Sequence, residues 1–266
     1  MSAPEITNSA DGTRIAFWRE GSGAPLLLVH GGLCDHLAWH FAVPYLARQF
    51  TVYTFDRRGR GASGDTPPYA VERELEDVAA MLDAIGRPGH LLGHSAGAIL
   101  ALAAAGRADN LLSLMLYDPP FVVEGARERP GPGILEQIQA LLATGDRDQA
   151  LRIAIRETVA MPDSQIEQMR AGPGWEHLRS AAGAIPHDWM LWEERLVPER
   201  LTALRMPVLL LLGSESPPWI RASTEAVRTA LSRARMVELP GQGHDAMITA
   251  PELFARAVTD FANEIG

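Results

Sequence analysis

The stretch HLLGHSAGAILALAAAG, residues 90–106, restricts the fold more than any other part of the chain. A short apolar run of strand type leads into Gly93-His94-Ser95-Ala96-Gly97, and an alanine-rich run of helix type leaves it. A strand that becomes a helix at one residue has no room for side chains two positions either side, and glycine stands at both. Such a reversal holds Ser95 in a strained conformation, with its hydroxyl exposed and the following N–H free to meet an oxyanion. Ser95 is therefore the expected nucleophile.

The same alternation continues along the chain. After a hairpin turning at Asp11-Gly12, strand-like runs occupy 25–30, 51–56, 90–93, 112–118, 207–213 and 235–239. Helical patterns lie between them near 37–48, 71–85, 96–106, 223–232 and 251–264. Strand and helix in alternation predict an α/β fold around a mostly parallel sheet. From Phe121 to about Leu204 the rhythm stops. Helix-like segments such as ILEQIQALLA, punctuated by RPGPG and AGPGW, predict a helical insertion over the end of the sheet. The expected organisation is a core of 1–120 and 205–266 with a cap of 121–204.

A serine nucleophile needs a base. His244 follows the last strand in the glycine-rich loop LPGQGHDAMI and precedes the last helix, so it can reach across the strand ends. His94, next to Ser95, is expected to point away from it. At the end of another strand, His30-Gly31-Gly32 lets backbone N–H groups approach a substrate oxygen. The expected oxyanion donors are Gly32 and Ala96, with Leu33 as an alternative to Gly32.

These motifs together resemble the α/β-hydrolase fold superfamily, in the form of a serine hydrolase with a helical cap. The resemblance spans nearly the whole chain: the HGG loop, Asp56-x-Arg58-Gly59-x-Gly61-x-Ser63, the serine elbow, the cap and the late histidine. It implies that Asp56 and Arg58 brace a loop and take no part in chemistry. A serine at the elbow is unlike the haloalkane dehalogenase and epoxide hydrolase branches, which carry aspartate there.

The chain departs from that family at its acid. Most members place a carboxylate after the seventh strand, where LLGSESPP offers Ser216, with Glu215 beside it. A minority place it after the sixth, and LSLMLYDPP ends there on Asp118. The acid selects the imidazole tautomer and stabilises imidazolium, which a serine hydroxyl cannot do. Asp118 is the expected triad acid; Glu215 and cap acids such as Asp188 are the alternatives.

Trp175, Trp189, Met190 and Trp192 concentrate in one part of the insertion, in a chain with six tryptophans. They are expected to wall an apolar substrate pocket or, equally, to form the cap's own core. His177 and His187 have no neighbour at metal-ligand spacing, so neither a metal nor another cofactor is expected. The single cysteine, Cys34, excludes an intrachain disulfide. All 24 basic residues are arginine, which excludes Schiff-base and Ser–Lys chemistry.

A formal charge of −9 argues against nucleic acid or an anionic membrane as partner. No leader pattern and no apolar run near the ~18 residues of a membrane span is visible. The expectation is a cytoplasmic enzyme acting on a small molecule, with a homo-oligomer left open. The expected reaction is hydrolysis of an ester, lactone or thioester of a small, predominantly apolar substrate through an acyl-serine. Two alternatives use the same fold: carbon–carbon bond cleavage or a lyase-type, cofactor-independent reaction on the same residues, and a ligand-binding receptor with a vestigial triad.

Overall fold

A computed structural model of the chain describes residues 3–197, 201 and 204–265. Eight strands form one sheet: β1 (Glu5–Asn8), β2 (Arg14–Gly21), β3 (Ala24–Val29), β4 (Phe50–Phe55), β5 (Gly89–His94), β6 (Leu111–Tyr117), β7 (Val208–Gly213) and β8 (Arg235–Leu239). Their spatial order is β1-β2-β4-β3-β5-β6-β7-β8. The first two pairings, β1 with β2 and β2 with β4, are antiparallel, and all the others are parallel.

Every residue of β5 and β7 is buried, as expected where helices cover both faces of a parallel sheet. Alternate side chains feed two cores. Leu27, Leu91, Leu114 and Leu210 face α2 (Val71–Ile85) and α3 (Ala96–Ala105), where they meet Val78, Met81 and Leu100. Leu28, Leu92, Met115 and Leu209 face the helix Pro251–Ile265, through Phe254, Val258 and Phe261. Each such side chain stabilises the fold by roughly 1.5–3 kcal/mol through removal from water.

Two helices differ from the sequence pattern. The stretch 37–48 is a 3-10 turn, His36–Trp39, followed by a short helix, Val43–Leu46. Pro44 has no N–H to donate back to residue 40, so a continuous helix cannot form through it. The helix expected from 223 begins at Pro218, where the fixed proline φ suits a first turn, and ends at Ala230.

The insertion carries five α-helices among its described residues: α4 (Ile134–Ala143), α5 (Arg147–Val159), α6 (Asp163–Arg170), α7 (Trp175–Ala181) and α8 (Ile185–Trp192). Ile138, Leu151, Ile155, Ile166 and Ile185 form their own apolar cluster, which also takes in Leu33 from the core. The end of the expected cap at 198–200, 202 and 203 lies outside the described residues.

β3 has β4 on one side and β5 on the other. The chain thus winds outward in both directions from β3, and the strand ends there leave a crevice of the kind in which ligands of open α/β sheets bind. The HGG loop, the serine elbow and Asp118 follow β3, β5 and β6 at this one end.

Candidate active site

Ser95 occupies the reversal between β5 and α3 with φ 53° and ψ −126°, a conformation that side chains rarely adopt. A Cβ at Gly93 would run into Gly97 O and Ala101, and one at Gly97 into the carbonyl oxygens of Val29 and His30. The reversal is fixed by Ser95 N donating to Tyr117 O at 3.0 Å and Ala98 N donating to Ser95 O at 2.8 Å.

Asp118 ends β6 with φ 47° and is fully buried. Its Oδ2 lies 2.9 Å from Nδ1 of His244, whose side chain is 31% exposed. The same Oδ2 accepts from Ser216 Oγ at 2.5 Å, and Oδ1 accepts from Gly213 N at 3.2 Å. Ser216 thus holds the neighbouring strand's carboxylate from the position where most of the family carries its own. Glu215 is exposed.

The loop carrying His244 is pinned from beneath. Tyr117 Oη donates to Gly243 O and accepts from Ala246 N, bracketing His244 on both sides. His94 Nε2 lies 2.9 Å from His244 O, so that nitrogen carries the proton and donates, and the two rings stand 4.5 Å apart. His94 Nδ1 is buried without a hydrogen-bond partner. Burial, and then the charge of His244 nearby, hold the His94 pKa well below the ordinary value. A neutral His94 supports the loop without placing a cation under His244. Among the described residues no hydrogen bond joins Ser95 Oγ to His244 Nε2, and such bonds in ligand-free hydrolytic sites are often long.

The amides of Gly32 and Ala96 have no hydrogen-bond partner among the described residues. Leu33 does not share that freedom: its N donates to Asp188 Oδ2 at 2.9 Å, so as an alternative oxyanion donor it is already engaged. Asp188, also an alternative acid, reaches down from α8 and is fully buried. Its Oδ1 accepts from Arg57 Nη1 at 3.1 Å and from Arg60 Nη2 at 2.6 Å. Arg57 in turn forks onto Glu74 at 2.6 and 2.7 Å and donates to Gly31 O at 3.2 Å. Burial opposes ionisation of Glu74, but the Arg57 guanidinium outweighs it and brings that carboxyl to about 2. Leu33 stays at φ 56° within this frame. A Cβ on Gly32 would come within 3.0 Å of the Trp192 indole and 3.1 Å of the Asp188 carboxylate, so a larger residue there would push against α8.

The aromatic residues of the insertion divide. Trp189 and Trp192 meet edge to face at 6.1 Å and line a cavity of about 510 Å³ with Ile134 and Leu135. Trp175 belongs to the insertion's own core, its Nε1 donating to Asp148 Oδ1 at 2.7 Å. Met190, expected on the wall, is 43% exposed on the surface, because its position on α8 faces away from the cluster that buries Trp189. Between the insertion and the core, His177 Nε2 lies 3.3 Å from Asp35 Oδ2 and the His187 ring stacks on Tyr69 with centroids 3.9 Å apart.

Asp35, His36 and Asp56 are the one trio among the described residues whose ligand atoms gather closely enough for a metal. Their carboxylates accept hydrogen bonds within the loop. Asp56 Oδ1 accepts from His36 N at 2.9 Å and faces His36 Nδ1 at 2.7 Å, Asp56 Oδ2 accepts from Ala62 N at 2.7 Å, and Asp35 Oδ1 accepts from Leu37 N at 2.8 Å. Arg58 is bound to Asp77 at 2.7 Å and to Asp11 at 2.9 Å, well inside the structure. Desolvation, with Asp245, Asp188 and Asp35 nearby, pushes the Cys34 thiol up to about 12, which keeps it protonated.

The model of the alpha/beta hydrolase family matches residues 26–257. An N-formylmaleamate deformylase from Pseudomonas putida is 32% identical over 213 residues, covering 77% of this chain and 76% of that protein. The crystal structure of an alpha/beta hydrolase from Sphaerobacter thermophilus superimposes with a TM-score of 0.90 at 37% identity, covering 97% of this chain and 99% of that one. A thermophilic esterase from Thermogutta terrifontis gives a TM-score of 0.76 at 26% identity, with 99% of both chains covered. Sheet order, serine elbow and these likenesses agree, and the chain belongs to the alpha/beta hydrolase family as one of its hydrolases.

Proposed function

We propose that the protein hydrolyses an ester, lactone or thioester of a small substrate through an acyl-serine, with Ser95 as nucleophile, His244 as base and Asp118 as acid. The observation that carries this reading is the 2.9 Å contact from Asp118 Oδ2 to His244 Nδ1, on the same strand ends as the strained Ser95. A carboxylate at Nδ1 keeps the proton there, which leaves the Nε2 lone pair free to take the Ser95 proton.

Ser95 Oγ then forms a bond to the carbonyl carbon. The oxygen that becomes negative turns toward the amides of Gly32 and Ala96, two donors in place before the charge develops. Protonated His244 gives its proton to the leaving alcohol or thiol, and the carbon–oxygen or carbon–sulfur bond breaks. Water, deprotonated by His244, attacks the acyl carbon; the bond from that carbon to Ser95 Oγ breaks, His244 returns the proton to Ser95 Oγ, and the acid leaves. Asp188 holds the Gly32 loop through Leu33 and Arg57, so the insertion contributes to the geometry of the oxyanion site. Trp192, lying on Gly32, supports an apolar wall beside the reacting carbonyl.

A fluorophosphonate probe tests the assignment. It is expected to label one serine, in the peptide holding Ser95, and to fail with Ser95→Ala. Undiminished labelling of Ser95→Ala removes the reading.

A further inference from the structure

We propose that Arg127 binds a carboxylate carried by the substrate, so that the enzyme's natural substrates are anions. The inference rests on the hydrolase reading above and names the substrate class of that site.

Arg127 is half-buried, with its guanidinium carbon 4.2 Å above the Trp219 ring. Nη1 donates to Thr158 O at 2.6 Å. Among the described residues no carboxylate pairs with it. Burial and then neighbouring Arg129 both act against its charge. Arginine stays protonated nonetheless, and a half-buried guanidinium held over an indole, with most of its N–H donors unpaired among the described residues, is poised for an anion. A carboxylate fits best, since its two oxygens match two parallel N–H groups.

The surroundings agree in sign. A cavity of about 290 Å³ is lined by Arg127, Arg129 and Arg195 against one carboxylate, Glu124. Arg129 has only a 3.4 Å contact with Glu193, on the surface. The three arginines give this cavity a local positive excess in a chain of net charge −9.

Position links this cavity to the chemistry. Phe121 on its wall is three residues beyond Asp118, and Trp219 three beyond Ser216, so its walls are built from the segments that follow β6 and β7. Arg127 and Arg129, with Glu136 and Glu193, also line the cavity of about 510 Å³ that includes Trp192, the residue resting on Gly32. A substrate spanning from Gly32 past Trp192 to Arg127 would carry its reacting carbonyl at one end and its carboxylate at the other.

Two methyl esters of equal length test this: monomethyl adipate, with a terminal carboxylate, and methyl hexanoate, with a terminal methyl. The wild type is expected to prefer the adipate in kcat/KM by tenfold or more. Arg127→Gln is expected to lower kcat/KM for the adipate at least tenfold more than for the hexanoate, mainly through KM, with Arg127→Lys restoring part of the preference. An equal loss on both esters would make Arg127 a structural brace to Thr158 and overturn the proposal, as would a wild type without preference. Binding is read separately from hydrolysis: free adipate is expected to raise the melting temperature of Ser95→Ala but not of Ser95→Ala/Arg127→Gln. If the probe fails to label Ser95 while that shift persists, the hydrolase reading fails and the anion site stands. A shift with inorganic phosphate and none with adipate overturns the carboxylate assignment.

Discussion

Ser216 Oγ donates to the same Asp118 oxygen that faces His244 Nδ1, at 2.5 and 2.9 Å respectively. The hydroxyl at the end of β7 therefore orients the carboxylate at the end of β6. With Gly213 N on the other oxygen, the carboxylate is fixed against rotation, and its remaining partner is the histidine.

Asp118→Asn is expected to lower kcat by about 10⁴, the effect of losing the acid in a serine triad, because the amide presents the wrong partner to Nδ1. Glu215→Gln, at an exposed position, is expected to cost tenfold or less, under about 1.4 kcal/mol of barrier. Rates of both variants on one ester, with circular dichroism to check folding, decide between them. A dead Glu215→Gln beside a near-normal Asp118→Asn would contradict the assignment.

Ser216→Ala removes one of three partners of a fully buried carboxylate. A hydrogen bond to a charged group contributes roughly 1.5–3 kcal/mol, so a loss of about tenfold in kcat is expected, with a smaller change in KM. Steady-state kinetics on the same ester are sufficient; an unchanged kcat would show that Gly213 alone positions the acid.

Asp188→Ala leaves the Arg57 and Arg60 guanidiniums without their shared carboxylate and frees Leu33 N inside the protein. Breaking a buried ion pair from one side costs about 3–5 kcal/mol, so a large loss of stability is expected, with a fall in kcat as the Gly32 loop drifts. Asp188→Asn, which can still accept from Leu33, is expected to keep more activity than Asp188→Ala. Urea unfolding and kcat, measured on both, test the two effects together.

Acid should destabilise the fold from the upper end of the histidine range. Burial lowers the pKa of His30, His90, His94 and His187 below the ordinary 6.5. Because these folded-state values lie below the unfolded one, the unfolded chain binds more protons in the window between them. Stability is complete above about 6.5 and is lost as pH falls toward the folded values, by up to about 1.4 kcal/mol per pH unit for each histidine. Glu74, at about 2 against an ordinary 4.5, adds a loss on further acidification below 4.5. Urea midpoints between pH 8 and 5 are expected to decline below 6.5; a flat profile would contradict this.

Much of the site is legible because short-range geometry dictates it. The glycines around Ser95 answer to a reversal at one residue, and the continuous apolar runs answer to strands buried on both faces of a covered sheet. Asp118 could be singled out because a serine stands where a carboxylate is usual. The role of that serine could not, since Ser216 and Asp118 are 98 residues apart and meet only when β6 and β7 pair. His94 offered a partial signal: its place beside Ser95 suggested that it turns away, but its hold on the His244 backbone spans 150 residues.

The sequence by itself determined the alternation of strands and helices, the elbow and the order of the chemical groups, because propensity, periodicity and turn chemistry act over a few neighbouring residues. Only the tertiary structure decided which groups share an environment. Asp188 reads as one more acid on a helix until packing buries it over Leu33, Arg57 and Arg60. Arg127 reads as one of 24 arginines until the fold lays it over Trp219 with no described carboxylate paired to it. Burial, pairing and the charge that remains unpaired are properties of contacts between distant segments, and no local pattern encodes them.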